Sequence, residues 1–161
     1  MPANYNHVSP VGQLDAMSCW AACLKFWYRA ALSIKKSQTK LIAKYAHLAD
    51  EYDGMSNDMI IQIISDSPMY VESYQPASTY TADTLLDGLR FGPVYIAYTE
   101  TSSMKRHVNV IHGVIGSGSN TRVNVMEPQV TEKADLTWVG AHQVKFLSEF
   151  NQHGEIFLGI K

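Results

Sequence analysis

The sequence has few cysteines, no long apolar run and no excess of charge of either sign. Two cysteines in 161 residues exclude a disulfide framework. The 13 basic and 15 acidic residues nearly cancel, which gives no electrostatic reason to bind nucleic acid or an anionic membrane. No apolar stretch approaches the ~18 residues of a membrane span, and the first residues, MPANYNH, lack the regions of a Sec signal peptide.

The sequence also lacks the ligand spacings that hold metals and phosphate cofactors. It contains no Cys-x-x-Cys, no His-Glu-x-x-His and no carboxylate cluster. Residues 116–120 (GSGSN) lack the Gly-Lys-Ser/Thr ending of a phosphate-binding loop and are expected to form a turn. We therefore expect neither a metal nor a cofactor.

What is present suits a single α+β domain over residues 1–161, because 46% of the residues are hydrophobic. Pro2, Pro10 and Gly12 predict an irregular entry segment over residues 1–12. Helices come first along the chain and strands later, and this order predicts an α+β fold with an antiparallel sheet. Periodicity predicts helices over 17–31, 37–49, 56–65, 81–89 and 146–150, and strands over 70–74, 94–98, 107–115, 122–126 and 155–160.

The strongest chemical signal lies at the start of the first predicted helix. Cys19 lies there, and the unpaired N–H groups and dipole of a helix N-terminus favour a thiolate. The amide of Gln13 and the Cys19 N–H would together form a two-donor oxyanion hole. The alternative for Cys19 is a buried packing cysteine, which is the role we assign to Cys23 one turn further along.

A nucleophilic cysteine needs a base, and the base needs a group that orients it. Of the six histidines, His107 and His112 lie on the most strand-like segment. They are an odd number of residues apart and therefore face opposite sides of a strand, so one alone can reach Cys19. The remaining histidines are placed in the entry segment (His7), on a helix (His47) and in polar loops (His142 and His153).

The geometry of the predicted hairpin selects the base. With the turn centred near residues 117–118, His107 lies opposite Glu127 and Val114 lies opposite Asn120. The Glu127 carboxylate would then accept the imidazole Nδ1–H and stabilise an imidazolium. The alternative for Glu127 is a solvated acid at a strand end. The same register puts the second strand histidine near Arg122, so we expect that histidine to pack against the helices.

These residues resemble the motifs of papain-like cysteine proteases. Residues 13–20 (QLDAMSCW) match the family's Gln, Ser-Cys-Trp and spacing, and residues 107–114 and 123–128 resemble the strands that carry its His and its Asn or Asp. Glu127 stands at the acid position with one more methylene than the family residue. The second motif ends in acid-Pro, as in the compact bacterial members of the family.

The resemblance implies a papain-like fold, with N-terminal helices and the nucleophile at a helix start, packed on a C-terminal antiparallel sheet. It implies a thiol protease that forms a thioester acyl-enzyme on a protein substrate. Trp20 is expected to pack beneath the substrate site, and Trp138, in a loop after the acid, to shield the His–acid pair. The implied catalytic residues are Cys19, His107, Glu127 and Gln13.

The compact bacterial members further suggest an effector or interbacterial toxin. Such a protein would be secreted by a signal-peptide-independent bacterial system and would act as a monomer in the target-cell cytoplasm, with a cognate inhibitor protein. Two alternatives remain open at the level of sequence. One is a Cys–His amidase or deamidase, for example on peptidoglycan, and the other is a non-catalytic binding module on the same fold.

Overall fold

The computed structural model describes residues 5–50, 54–73, 81–100, 102–103, 105–150 and 156–160. The helices in these ranges are α1 (Cys19–Leu32), α2 (Gln38–Tyr45), α3 (Asn57–Asp66) and α4 (Ala82–Leu89). The strands are β1 (Met69–Ser73), β2 (Val94–Thr99), β3 (Arg106–Ile115), β4 (Arg122–Glu132), β5 (Trp138–Phe146) and β6 (Ile156–Ile160). None of these helices is long and apolar enough to cross a membrane.

The strands form one sheet in the order β1-β6-β2-β3-β4-β5, and neighbouring strands among the described residues pair antiparallel. Strands β3 and β4 form the predicted hairpin. Strand β6, the last in sequence, pairs with both β1 and β2. The predicted α+β class, with helices first and an antiparallel sheet later, is confirmed.

Helices cover both faces of the sheet, because alternate residues of β2 enter two different cores. Tyr95 and Ala97 belong to the core that contains residues of α1, α2 and α3. Val94 and Ile96 belong to the core that contains residues of α4. A strand buried on both faces needs apolar residues at every position, which explains the uninterrupted run VYIAY.

Helix α1 lies against the sheet with its buried polar groups satisfied. Nine of its 14 residues are buried, which explains why its sequence is nearly free of charge. The indole Nε1 of Trp27 donates to the Pro93 carbonyl at 2.9 Å, and the Tyr95 hydroxyl donates to the Trp20 carbonyl at 2.9 Å. These bonds hold the helix at one position on the sheet, because breaking either would leave a buried group without a partner.

The entry segment runs between β4 and β5 at a break in their pairing. The register of the two strands shifts between Glu127 and Thr131. At this break the Gln13 N–H donates to the Pro128 carbonyl at 3.1 Å, and the Gln13 carbonyl accepts from the Trp138 N–H at 2.8 Å. Gln13, directly after the segment predicted to be irregular, therefore supplies backbone hydrogen bonds that the two strands do not give each other.

Two glycines allow this close approach. A Cβ atom at Gly12 would overlap the Trp138 carbonyl, and a Cβ atom at Gly140 would overlap the Val11 carbonyl. On the other side of the segment, the Gln38 side chain on α2 donates to the Gly12 carbonyl at 3.1 Å. Backbone segments approach at this distance when no side chain stands between them.

The predicted register of the β3–β4 hairpin is wrong. Val114 pairs with Val123 rather than with Asn120, and Arg122 pairs with Ile115. The cause is the turn, because residues 118–120 form a 3₁₀ helix rather than part of a tight turn centred at 117–118. The longer turn displaces β4 along β3.

A bulge in β3 then brings the two functional strands closer to the expected alignment. The register shifts between Ile111 and Gly113, which takes His112 out of the regular ladder and away from the predicted pairing near Arg122. Beyond the bulge, continuing the observed pairing by one residue places Asn109 across from Glu127. His107 is therefore the diagonal neighbour of Glu127 instead of its direct partner, which long side chains can still bridge.

The sequence does not predict strand β5. The structure places Trp138 at the start of β5 and His142 within it, whereas the sequence predicts loops at both positions. Strand β5 is an edge strand with β4 as its partner, and several of its apolar residues are exposed. Its sequence, WVGAHQVKF, therefore lacks the apolar alternation of a half-buried strand.

The remaining differences concern ends of elements. Helix α2 ends at Tyr45 and continues as a 3₁₀ helix over Ala46–Leu48, and the helical turn predicted over 146–150 is a 3₁₀ helix over Leu147–Phe150. Tyr74, the last residue of one predicted strand, and His153 lie outside the described residues.

Gly140→Ala is expected to destabilise the protein, because the new Cβ would overlap the Val11 carbonyl. Overpacking of this kind costs about 1–3 kcal/mol, which lowers the melting temperature by several degrees. Thermal unfolding followed by circular dichroism measures the change. Val139→Ala, at an exposed neighbouring position, should unfold like the wild type. An unchanged melting temperature for Gly140→Ala would contradict the close approach.

Candidate active site

Cys19 is the first residue of α1 and is 6% exposed. The Ser18 side chain makes no capping hydrogen bond, and Asp15 Oδ1 instead accepts from the Met17 N–H at 2.8 Å in the turn before the helix. The N-terminus of a 14-residue helix carries a partial positive charge. Cys19 therefore lies where a thiolate is electrostatically favoured.

His107 is held between Cys19 and Glu127. Its Nε2 lies 2.6 Å from Glu127 Oε1, and both side chains are less than a tenth exposed. The sequence interpretation assigned this bond to Nδ1 and is wrong on that point, because the carboxylate reaches the ring from the diagonal position on β4. Nδ1 is then the ring nitrogen that remains for Cys19, which raises the pKa of His107.

The surrounding charges set the protonation of the pair. Burial alone lowers the pKa of His107, but the hydrogen bond and charge of Cys19, followed by those of Glu127, raise it to about 10. Burial raises the pKa of Glu127, whereas His107 and then Lys145 lower it to about 2. At neutral pH the site holds an imidazolium next to a carboxylate.

Asn109 and Lys145 bind the second oxygen of Glu127, and sequence reasoning missed both. Asn109 Nδ2 and Lys145 Nζ donate to Oε2 at 2.9 Å and 2.7 Å, and the Gln129 N–H donates to Oε1 at 3.0 Å. Asn109 follows His107 by two residues on one strand, so alternation could have indicated it. Lys145 lies on β5, the strand that the sequence does not predict.

Gln13 is fully buried close to the start of α1. Its Nε2 donates to the Asp15 carbonyl at 2.7 Å, and its Oε1 has no hydrogen-bond partner within the described residues. A primary amide carries two N–H donors, and Asp15 uses one of them. The other remains a candidate donor to an oxyanion.

The two tryptophans assigned to substrate binding lie in different surroundings. Trp20 is 2% exposed and packs edge-on against Tyr45 with ring centroids 6.3 Å apart, so it is a core residue without a surface for substrate. Trp138 lines an open cavity of about 300 Å³ together with His107 and Glu127. Trp138 therefore lies beside the His–acid pair, although it does so from a strand.

His112 packs against α1, as the sequence indicates, with its ring centroid 6.1 Å from that of Phe26. Its Nε2 is 3.0 Å from His142 Nδ1, and His142 Nε2 is 2.8 Å from the Val8 carbonyl. A carbonyl can accept but not donate, so His142 Nε2 carries a hydrogen. Burial, followed by the charge of His142, lowers the pKa of His112 to about 4.

Among the described residues, no three His, Cys, Asp or Glu side chains are grouped as a metal site. His107 is instead hydrogen-bonded to Glu127 at 2.6 Å, and Cys19 comes next in the series, close enough to His107 to raise the pKa of the imidazole. A series of this kind suits proton transfer from one end to the other.

A family model described as papain-like cysteine protease AvrRpt2 matches residues 2–143, which is 142 of 161 residues. The chain belongs to this family. The matched range contains Gln13, Cys19, His107 and Glu127. The resemblance to papain-like cysteine proteases is therefore confirmed, and so is the papain-like α+β fold with Cys19 at a helix start. A search of curated proteins gave no match.

His112→Phe is expected to flatten the acid dependence of stability. The pKa of His112 is about 4 in the fold and 6.5 as its ordinary value. Below pH 6.5 the unfolded chain therefore binds a proton that the folded chain does not, and stability is lost as the pH falls to about 4. The steepest loss is about 1.4 kcal/mol per pH unit.

Urea unfolding of both proteins between pH 4.5 and 6.5 isolates this effect. The raised pKa of His107 gives stability that is fully present below pH 6.5, and the lowered pKa of Glu127 gives stability that is lost below its ordinary value of 4.5. Neither contribution to stability therefore changes between pH 4.5 and 6.5. Equal slopes for wild type and His112→Phe would contradict a neutral buried His112.

Proposed function

We propose that the chain is a papain-like cysteine endopeptidase, with Cys19 as nucleophile, His107 as general base and acid, and Glu127 as the residue that orients His107. One observation carries the proposal: the buried His107 ring is hydrogen-bonded to the Glu127 carboxylate at 2.6 Å and is influenced by Cys19, which begins a buried helix. This is the environment that activates a cysteine nucleophile. Membership of a cysteine protease family supports the same chemistry.

The reaction proceeds through a thioester. The Cys19 thiolate attacks the peptide carbonyl carbon, and the carbonyl electron pair moves to oxygen. As the C–N bond breaks, His107 gives its Nδ1 proton to the leaving amine and a thioester remains. Water then attacks the thioester and gives a proton to His107, and the acid product leaves as the thiolate is restored. Glu127 holds the ring at Nε2 throughout.

The oxyanion in this proposal is stabilised by Gln13 Nε2 and the Cys19 N–H. Two backbone hydrogen bonds, to Pro128 and from Trp138, and one side-chain bond to Asp15 hold Gln13 in place. Donors fixed in advance are worth more than mobile donors, because they need no reorganisation when charge develops.

The substrate in this proposal is a segment of a protein. The cavity beside His107 is open, and its lining includes Gln129, Trp138 and Gln143, which offer hydrogen bonds and an aromatic surface to a peptide segment. The likeness to compact bacterial proteases supports a role as an effector or interbacterial toxin. We extend the proposal to secretion by a signal-peptide-independent system, action as a monomer in the target-cell cytoplasm, and inhibition by a cognate protein.

Cys19→Ala is expected to abolish proteolysis, and Cys23→Ala is the matched control. Loss of a nucleophile lowers kcat by at least about 10³-fold. Cys23 is fully buried and donates to the Val108 carbonyl at 3.3 Å, so its removal should affect stability more than rate. The assay is cleavage of a disordered protein, with new termini and the thioester identified by mass spectrometry.

Two results would contradict the proposed endopeptidase. One is undiminished cleavage by Cys19→Ala. The other is Cys19-dependent cleavage of purified muropeptides when no protein is cleaved, which would indicate an amidase.

Gln13→Glu is expected to lower kcat by roughly 10²- to 10³-fold with little change in KM. The substitution keeps the size of the side chain but replaces the N–H donors with an acceptor. The rate of Cys19 alkylation by iodoacetamide serves as the control, since a retained rate shows that the nucleophile is intact. Wild-type kcat in this variant would exclude Gln13 from the oxyanion hole.

A further inference from the structure

We infer that Lys145 is a positioning residue for the proposed hydrolysis. It holds Glu127 ionised and oriented. The Glu127–Lys145 pair has no net charge, so it acts on His107 as a neutral hydrogen-bond acceptor would. The inference rests on the proposed function and adds a residue outside the matched range of 2–143.

The first observation is that the Glu127 carboxylate is completely bound. Oε1 faces His107 Nε2 at 2.6 Å and the Gln129 N–H at 3.0 Å. Oε2 accepts from Lys145 Nζ at 2.7 Å and from Asn109 Nδ2 at 2.9 Å. Two carboxylate oxygens offer about four acceptor sites, and each has a donor here. The side chain is longer than Asp or Asn, yet it is left no rotational freedom.

The second observation is that Lys145 is equally well satisfied. Its ammonium group has three hydrogens, and three acceptors surround it: Glu127 Oε2 at 2.7 Å, Asn109 Oδ1 at 2.9 Å and the Tyr98 hydroxyl at 3.3 Å. The side chain is 17% exposed. An ammonium withdrawn from water this far is tolerated when paired, and here the pair is Glu127.

The third observation concerns charge. A lone carboxylate on His107 would bind the imidazolium strongly and make it a poorer donor to the leaving amine. With Lys145 next to Oε2, the Glu127–Lys145 pair has no net charge. The proton can then be shared between Cys19 and His107, as it would be next to a neutral amide.

Other titratable groups that act on this network come from the strands and helix around it. Tyr98 lies edge-on to His107 with centroids 5.7 Å apart, and burial and the Glu127 charge raise its pKa beyond the physiological range. Glu100 lines the same cavity. Cys19 and Cys23 approach from α1, and burial raises the pKa of Cys23. None of these supplies a second cation, so the balancing charge comes from Lys145.

The test compares Lys145→Met, Lys145→Arg and the double variant Lys145→Met/Glu127→Gln, with Lys40→Met at an exposed helix position as control. For each, kcat/KM is measured against pH, and the His107 ring is titrated by NMR. We expect Lys145→Met to lose about ten- to hundredfold in kcat. The basic limb of its kcat/KM profile should shift to higher pH by about one unit, because removing a cation favours the imidazolium.

Restoration by two chemically different routes separates positioning from mere structural support. Lys145→Arg keeps the charge and should keep the wild-type basic limb. The double variant replaces the ion pair with a neutral amide and should recover most of the kcat lost in Lys145→Met. If Lys145→Met is too unstable to assay, the double variant compared with Glu127→Gln alone carries the test, and it should be the faster of the two.

The inference is overturned if Lys145→Met lowers the melting temperature without moving the His107 titration, or if the double variant is no faster than Lys145→Met or Glu127→Gln. The proposed function fails separately, if the wild type hydrolyses no protein. In that case the NMR titration of His107 still decides whether Lys145 sets its charge.

Discussion

The hydrogen bond between His107 Nε2 and Glu127 Oε1 joins β3 to β4 at the end of the sheet where α1 begins. Both partners are nearly excluded from water, so each would be costly to bury alone. Each is tolerated because a neighbour supplies the opposite charge. This requirement constrains the start of α1, the bulge in β3 and the course of β5, since each brings one member of the network into range.

The sequence contains enough information for the helices, five of the six strands described and the order of the site residues. Apolar periodicity and side-chain caps identify elements such as α3, where Ser56 accepts from the Met59 N–H. Cys19, Gln13, His107 and Glu127 are identifiable from spacing and chemistry. The contact between His107 and Glu127 is correctly expected even though the register used to infer it is wrong, because the bulge recovers one residue of the displacement and the two long side chains bridge the remaining diagonal.

The parts that escaped prediction depend on long-range geometry. Strand β5 carries no clear apolar alternation, since it lies at the sheet edge. The sequence therefore does not indicate that Lys145 is a member of the site. The choice between the two nitrogens of His107 depends on a diagonal contact that no local pattern encodes.

The order of strands has a consequence for synthesis. Strand β6 lies between β1 and β2, and β1 has β6 as its strand partner among the described residues. Every side chain of the site, from Gln13 to Lys145, is made before residues 156–160. Pairs distant in sequence, such as Met69 with Ile160, form late because closing long loops is slow. A nascent chain therefore carries every side chain of the candidate site before the sheet that supports them is complete.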